Sequence, residues 1–149
     1  LSGRCATLIS DDGSIDALVD TSIAIALVVG DHEHHAATFD ALADRRLGLA
    51  GHAAFETYSV LTRLPAPARR TAAAAGRILV SSFPCTKFLS EGAATRLLER
   101  LASHGIAGGS VYDALVGAAA FEHDVTLITR DRRALGTYRK LDVRVELLS

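Results

Sequence analysis

The chain holds seventeen acidic residues, and four of them stand where solvation alone does not account for an acid. Asp20 ends the apolar run Ala17-Leu18-Val19 and is the only Asp, Glu, Lys or Arg between Asp16 and Asp31. Glu56 has Ala53 three residues before it and Val60 four after, so it leaves its helix on the apolar side. Asp113 is the sole such charge between Arg100 and Glu122, in a segment of Val, Ala, Leu and Gly, and Asp131 follows the run Val125 to Thr129 by two residues. Two unit charges about 4 Å apart repel by roughly 4 kcal/mol at an effective dielectric near 20. Acids gathered in one crevice therefore either take up protons or hold a cation. Ligation by oxygen alone selects a hard divalent ion, Mg2+ or Mn2+.

Each acid also has a plainer reading. Ser110-x-x-Asp113 matches a capping box. Asp20 can cap a following helix, Glu56 can favour a helix dipole, and Asp131, flanked by Arg130, Arg132 and Arg133, can be a solvated turn. What joins the four is the set of elements that must carry them.

Ile15 to Val19 reads as a buried strand that turns into a short helix over 21–30, followed by a helix over 32–44 and a strand over 47–50. A helical pattern over 52–64 stops at Pro65 and Pro67, and an Ala-rich helix from residue 68 to about 80 stops at Phe83-Pro84. A third strand is expected over 87–89, then helices over 90–103 and 110–123, a strand over 125–129, a basic loop, and a last strand over 143–147. Strands alternating with helices predict an α/β protein with a mainly parallel sheet. Asp20 and Asp131 then fall at the carboxyl ends of strands, and Glu56 and Asp113 in first turns of helices. A parallel sheet places helix starts and strand ends along one edge, the edge where such sheets build their sites. Residues 1–14 lack periodicity and end in a Gly/Asp/Ser cluster, so they read as an extension outside a single domain spanning 15–149.

With 149 residues the chain can bury roughly 70% of its unfolded surface in one core. It has no apolar run long enough for a membrane span and no signal-peptide pattern, which fits a soluble cytoplasmic protein. No Asn or Gln occurs, which excludes N-glycosylation and any mechanism that needs a side-chain amide. The net charge of -1 hides an asymmetry: residues 1–60 carry nine acids and three bases, or -6, and residues 61–149 carry eight acids and thirteen bases, or +5. Asp31-His32-Glu33-His34-His35 is rich in metal-binding types but lacks HExxH spacing and reads as a solvated helix start. Cys5 and Cys85 lie in no CxxC and read as free thiols. Neither GxxxxGK[ST] nor GxGxxG is present.

Four stretches, Leu18-Val19-Asp20-Thr21-Ser22, residues 55–65 from Phe55 to Pro65, residues 111–119 from Val111 to Ala119, and Leu127-Ile128-Thr129-Arg130-Asp131, resemble in order and spacing the PIN-domain nucleases, and especially the VapC-type toxins of bacterial toxin-antitoxin pairs. His35 fits a histidine often seen in that family's corresponding helix. The resemblance implies a three-layer α/β/α fold and an endoribonuclease dependent on Mg2+ or Mn2+, with Asp20, Glu56, Asp113 and Asp131 as catalytic and metal-binding acids. It implies structured RNA, tRNA or rRNA, as substrate, a small VapB-type antitoxin as partner, and a homodimer or toxin-antitoxin hetero-oligomer. Thr21, Ser22 and Thr129 are candidates for orienting carboxylates or water, and Arg130, Arg132 and Arg133 for holding the RNA backbone. The alternatives are a degenerate PIN fold that only binds RNA or protein, and a metal-dependent DNA nuclease.

Overall fold

A computed structural model describes residues 15–149; residues 1–14, read above as an extension, lie outside the described residues. The sheet has four strands, β1 (Ala17–Val19), β2 (Leu47–Leu49), β3 (Leu127–Thr129) and β4 (Val145–Leu147), in the order β2-β1-β3-β4. All three pairings are parallel. The helices are α1 (Thr21–Val28), α2 (His35–Leu42), α3 (Ala53–Arg63), α4 (Ala72–Ser82), α5 (Glu91–Arg100), α6 (Ser110–Glu122) and α7 (Leu135–Lys140). Among the described residues no helix is long and apolar enough to cross a membrane.

The central strands are buried at every position, and apolar at all but Thr129, because both faces of the sheet are covered. In β1, Leu18 joins a core cluster with Leu97, Ala114, Val116 and Tyr138 from α5, α6 and α7. Its neighbours Ala17 and Val19 point the other way, to Ile23 and Ala24 of α1 and Leu42 of α2. Leu127 and Ile128 of β3 divide between the same two clusters. The two-residue period of a strand thus builds an α/β/α sandwich from a sheet whose strands are each three residues long.

Three expectations need correction. The strand expected over 87–89 is a single parallel bridge, Ala50 with Lys87. There the chain lies along the outer edge of β2 so closely that a Cβ on Gly48 would sit 2.0 Å from the Cys85 carbonyl oxygen, and Thr86 Oγ1 accepts from Leu49 N at 3.0 Å. A hydroxyl does part of the pairing that strand backbone would have done. The basic loop after β3 is instead a 3-10 turn (Arg132–Ala134) running into α7. Finally, Cys85 is buried and disulfide-bonded, not a free thiol. Distance along the chain sets no limit on proximity in the fold; Cys5 lies outside the described residues.

Candidate active site

The crossover from β1 leads outward to β2 on one side, while β3 lies on the other. The sheet order therefore reverses between β1 and β3, and the gap beyond their carboxyl ends is the crevice a parallel sheet leaves open. Asp20 is the first residue after β1, and Asp131 comes two residues after β3.

Asp20 is only 5% exposed and is held by four donors. Ser22 Oγ donates to its Oδ1 at 2.5 Å, and Ile23 N donates to the same oxygen at 3.3 Å. Thr129 Oγ1 and Tyr138 Oη, the latter at 3.1 Å, donate to Oδ2. Each bond favours the carboxylate, yet burial outweighs them and raises the pKa above the ordinary aspartate value. Tyr138 is itself pushed up, by burial and by the facing charge of Asp20, so it remains a donor.

Thr129 also ties two acids together. Its hydroxyl donates to Asp20 and accepts from Asp131 N at 2.9 Å. Ser22 does similar work across the crevice, donating to Asp20 and accepting from Arg130 N at 2.9 Å. Thr21 does not: its hydroxyl is buried and has no hydrogen-bond partner among the described residues.

Asp113 and Glu56 enter from the first turns of α6 and α3. Gly51 turns the chain from β2 toward α3 with φ +51°, a left-handed conformation that glycine adopts without steric cost. Asp113 is half-buried, and its pKa is raised first by burial and then by Asp131, Glu56 and Asp20; Arg133 alone pulls it back. Asp131, Glu56 and Asp20 thus all bear on the charge of Asp113. The capping box does not form: Gly109, not Ser110, is the N-cap of α6, and no side chain caps that end. Two plainer readings do hold in part. Asp20 caps α1, and Asp131 caps the 3-10 turn while pairing with Arg133 at 3.5 Å. Neither accounts for acids that raise Asp113 together.

The donor set fits a hard divalent cation, being all carboxylate oxygen with little countercharge. The acids are not closed into a cage: among the described residues no three His, Cys, Asp or Glu side chains are arranged to hold a metal ion.

Arg130 is anchored, donating to Thr38 Oγ1 at 3.2 Å and to the Ser149 carbonyl at 2.6 Å. Arg132 is exposed, and Arg133 faces Asp131. His35 Nδ1 donates to the Ala26 carbonyl, 2.8 Å away, and so ties α2 to α1. Tyr138 is the residue that sequence reasoning missed. The signal was Ala134, Tyr138 and Leu141, apolar at i, i+4 and i+7, hidden by the arginines and lysine around them. An apolar groove of about 520 Å3 lies apart from the four acids, between α3 and α4, with Phe55, Tyr58, Leu79 and Phe83 among its walls.

Comparison with known proteins bears on the family and the fold. The chain is 49% identical over 127 residues to ribonuclease VapC27 of Mycobacterium tuberculosis, covering 85% of this chain and 93% of that protein. It is 43% identical over 132 residues to ribonuclease VapC40 of the same species, covering 87% and 97%. Two crystal structures share the fold: FitAcB from Neisseria gonorrhoeae (TM-score 0.62, 20% identity, 87% of this chain and 95% of that one) and PAE2754 from Pyrobaculum aerophilum (TM-score 0.55, 25% identity, 88% and 90%). The PIN domain family model matches residues 17–140, a stretch that contains all four acids and Tyr138, and the chain belongs to the PIN domain family.

Proposed function

We propose that the chain is an endoribonuclease of the VapC type that cleaves structured RNA, tRNA or rRNA, as the toxin of a toxin-antitoxin pair. The observation that carries the reading is the gathering of acids about Asp113 at the sheet's switch point, where Asp131, Glu56 and Asp20 each raise its pKa. Two relatives above 40% identity named as ribonucleases support it.

Asp20, Glu56, Asp113 and Asp131 would hold Mg2+ or Mn2+. When bound, such an ion supplies Lewis-acid stabilisation of phosphate charge and lowers the pKa of water. The chain's own residues do the rest. Ser22, Thr129, Tyr138 and Ile23 N hold Asp20 in one orientation, so its oxygens do not reorganise as substrate arrives. Thr129 fixes the spacing of Asp20 and Asp131 through one hydroxyl. Arg133 offers positive charge to an RNA backbone beside the acids. Attack on phosphorus by a water that the ion activates would leave a 5′-phosphate and a 3′-hydroxyl.

The reading includes a small VapB-type antitoxin as partner and a homodimer or toxin-antitoxin hetero-oligomer. The exposed faces of Phe55, Phe88 and Val80 are apolar surface of the kind partners cover.

The test is cleavage of total RNA by the purified chain after EDTA treatment, with and without added Mn2+ or Mg2+, beside an Asp20→Asn variant, with sequencing of the new 5′ ends. Metal-restored cutting at a few sites, lost in the variant, is expected. Full activity in chelator overturns the metal dependence. Cutting of DNA alone makes the chain a deoxyribonuclease, and binding without cutting makes it a degenerate PIN fold.

A further inference from the structure

Beside the acids, and lined by none of the four, opens a second cleft of about 550 Å3. Thr21 and Ser22 of α1 form one wall, His32 and His34 another, and Arg130 and Arg132 a third. Ser22 is the seam between cleft and acids, since the hydroxyl that binds Asp20 also lines this space. In sequence alone His32 and His34 read as a solvated helix start; the fold turns both into the cleft wall.

The two rings are arranged as a unit. Their centroids are 5.7 Å apart with planes tilted by 45°, and His34 N donates to His32 Nδ1 at 3.1 Å. That bond makes Nδ1 the acceptor and leaves the proton of a neutral ring on Nε2. Burial and the neighbouring His34 lower the His32 pKa, so the ring is neutral at pH 7 and offers a flat, polarisable face. Arg130 is fixed by Thr38 and Ser149. Arg132 has no ion-pair partner among the described residues, and the Thr21 hydroxyl is buried without a hydrogen bond. Against these donors stands one acid, Glu33, whose carboxylate is turned to solvent beside His34.

Aromatic faces, guanidinium groups and an unsatisfied hydroxyl are what a single-stranded nucleotide requires: rings stack on bases, and arginines take phosphates. An RNA strand leaving the acids across Ser22 has this cleft as its path. We propose that the cleft seats the nucleotide beside the scissile phosphate, its base against His32 and His34 and its outer phosphate on Arg132, a reading that rests on the ribonuclease assignment above.

The test is binding of a fluorescein-labelled, mixed-sequence 12-nucleotide single-stranded RNA to the full chain in EDTA, read by anisotropy so that cleavage does not intervene. The paired substitution His32→Ala with His34→Ala should weaken binding about tenfold or more, and His32→Phe with His34→Phe, which restores flat rings, should return it to within about threefold of the parent. Arg132→Ala, at an exposed position where folding is not at stake, should weaken binding and reduce the slope of log K against log salt by about 1. Melting temperatures establish that the variants fold. A folded alanine pair that binds within about twofold of the parent overturns the proposal, as does unchanged binding by Arg132→Ala if the alanine pair fails to fold. A chain that cuts RNA through its acids but ignores both rings keeps the ribonuclease assignment and loses the cleft. Ring-dependent binding by a chain that cuts no RNA does the reverse.

Discussion

Asp113 shows how burial and neighbouring acids make a single charge costly to the fold. Its carboxyl titrates higher in the folded chain than the ordinary value of 3.8, because it is buried and faces three other acids. The folded state therefore binds this proton more tightly than the unfolded state does. The group's contribution to stability is fully present below the unfolded pKa and is lost as pH rises through the folded one. Asp113→Asn removes the charge and keeps the shape. In metal-free protein the variant should melt close to the parent near pH 4 and above it near pH 7, the gap widening between, while RNA cleavage collapses. Melting curves across that range in EDTA, beside a cleavage assay, check both halves; a destabilised, fully active variant would make Asp113 a structural residue. Tyr138→Phe tests the other side of the crevice. Losing one of the four donors to a buried carboxylate should cost about 1.5–3 kcal/mol in denaturant unfolding.

Among the elements, the strands and helices that carry the four acids were legible in the sequence, because fully buried strands read as uncharged runs and helix stops are written in proline and glycine. Leu18-Val19 and Leu127-Ile128 sit in short apolar runs rich in branched residues, which favour buried strands over helix. What was not legible depends on surroundings. The segment at Lys87 has a strand's composition, but Thr86 supplies part of the pairing through its side chain. Helix α7 and the 3-10 turn before it carry four charged residues around one buried stripe, and only the packing against α6 shows which face matters. That packing leaves no slack at Gly117, where a Cβ would lie 2.9 Å from Tyr138 Cδ1 and 3.2 Å from Val143 Cγ2. Gly117→Ala gains about 1 kcal/mol of helix propensity but overpacks the contact by about 1–3 kcal/mol. Net stability should change little or fall, and cleavage should drop further than stability does, since the ring that must yield is the one bonded to Asp20. Equal effects on unfolding and on cleavage would show that the ring has no part in holding the site.

For the molecule as a whole, the four acids come from four separate elements around one sheet edge, so a ligand that binds them all pins β1, α3, α6 and the end of β3 at once. Mn2+ at about 100 times its dissociation constant should add about 2.7 kcal/mol to unfolding free energy, seen as a higher melting temperature that EDTA reverses. Absence of any shift would mean that the acids do not bind the ion in the folded chain. The bonds that complete Asp20 also span nearly the entire chain. Thr129 and Tyr138 stand 109 and 118 residues downstream of it. During translation, β1 leaves the ribosome before the other strands, and its aspartate gains the first of these partners only with β3 and the second only with α7. A chain cut short before β3 therefore lacks two of the four donors that hold Asp20, and a fragment ending there should cleave no RNA when purified and assayed beside the full chain.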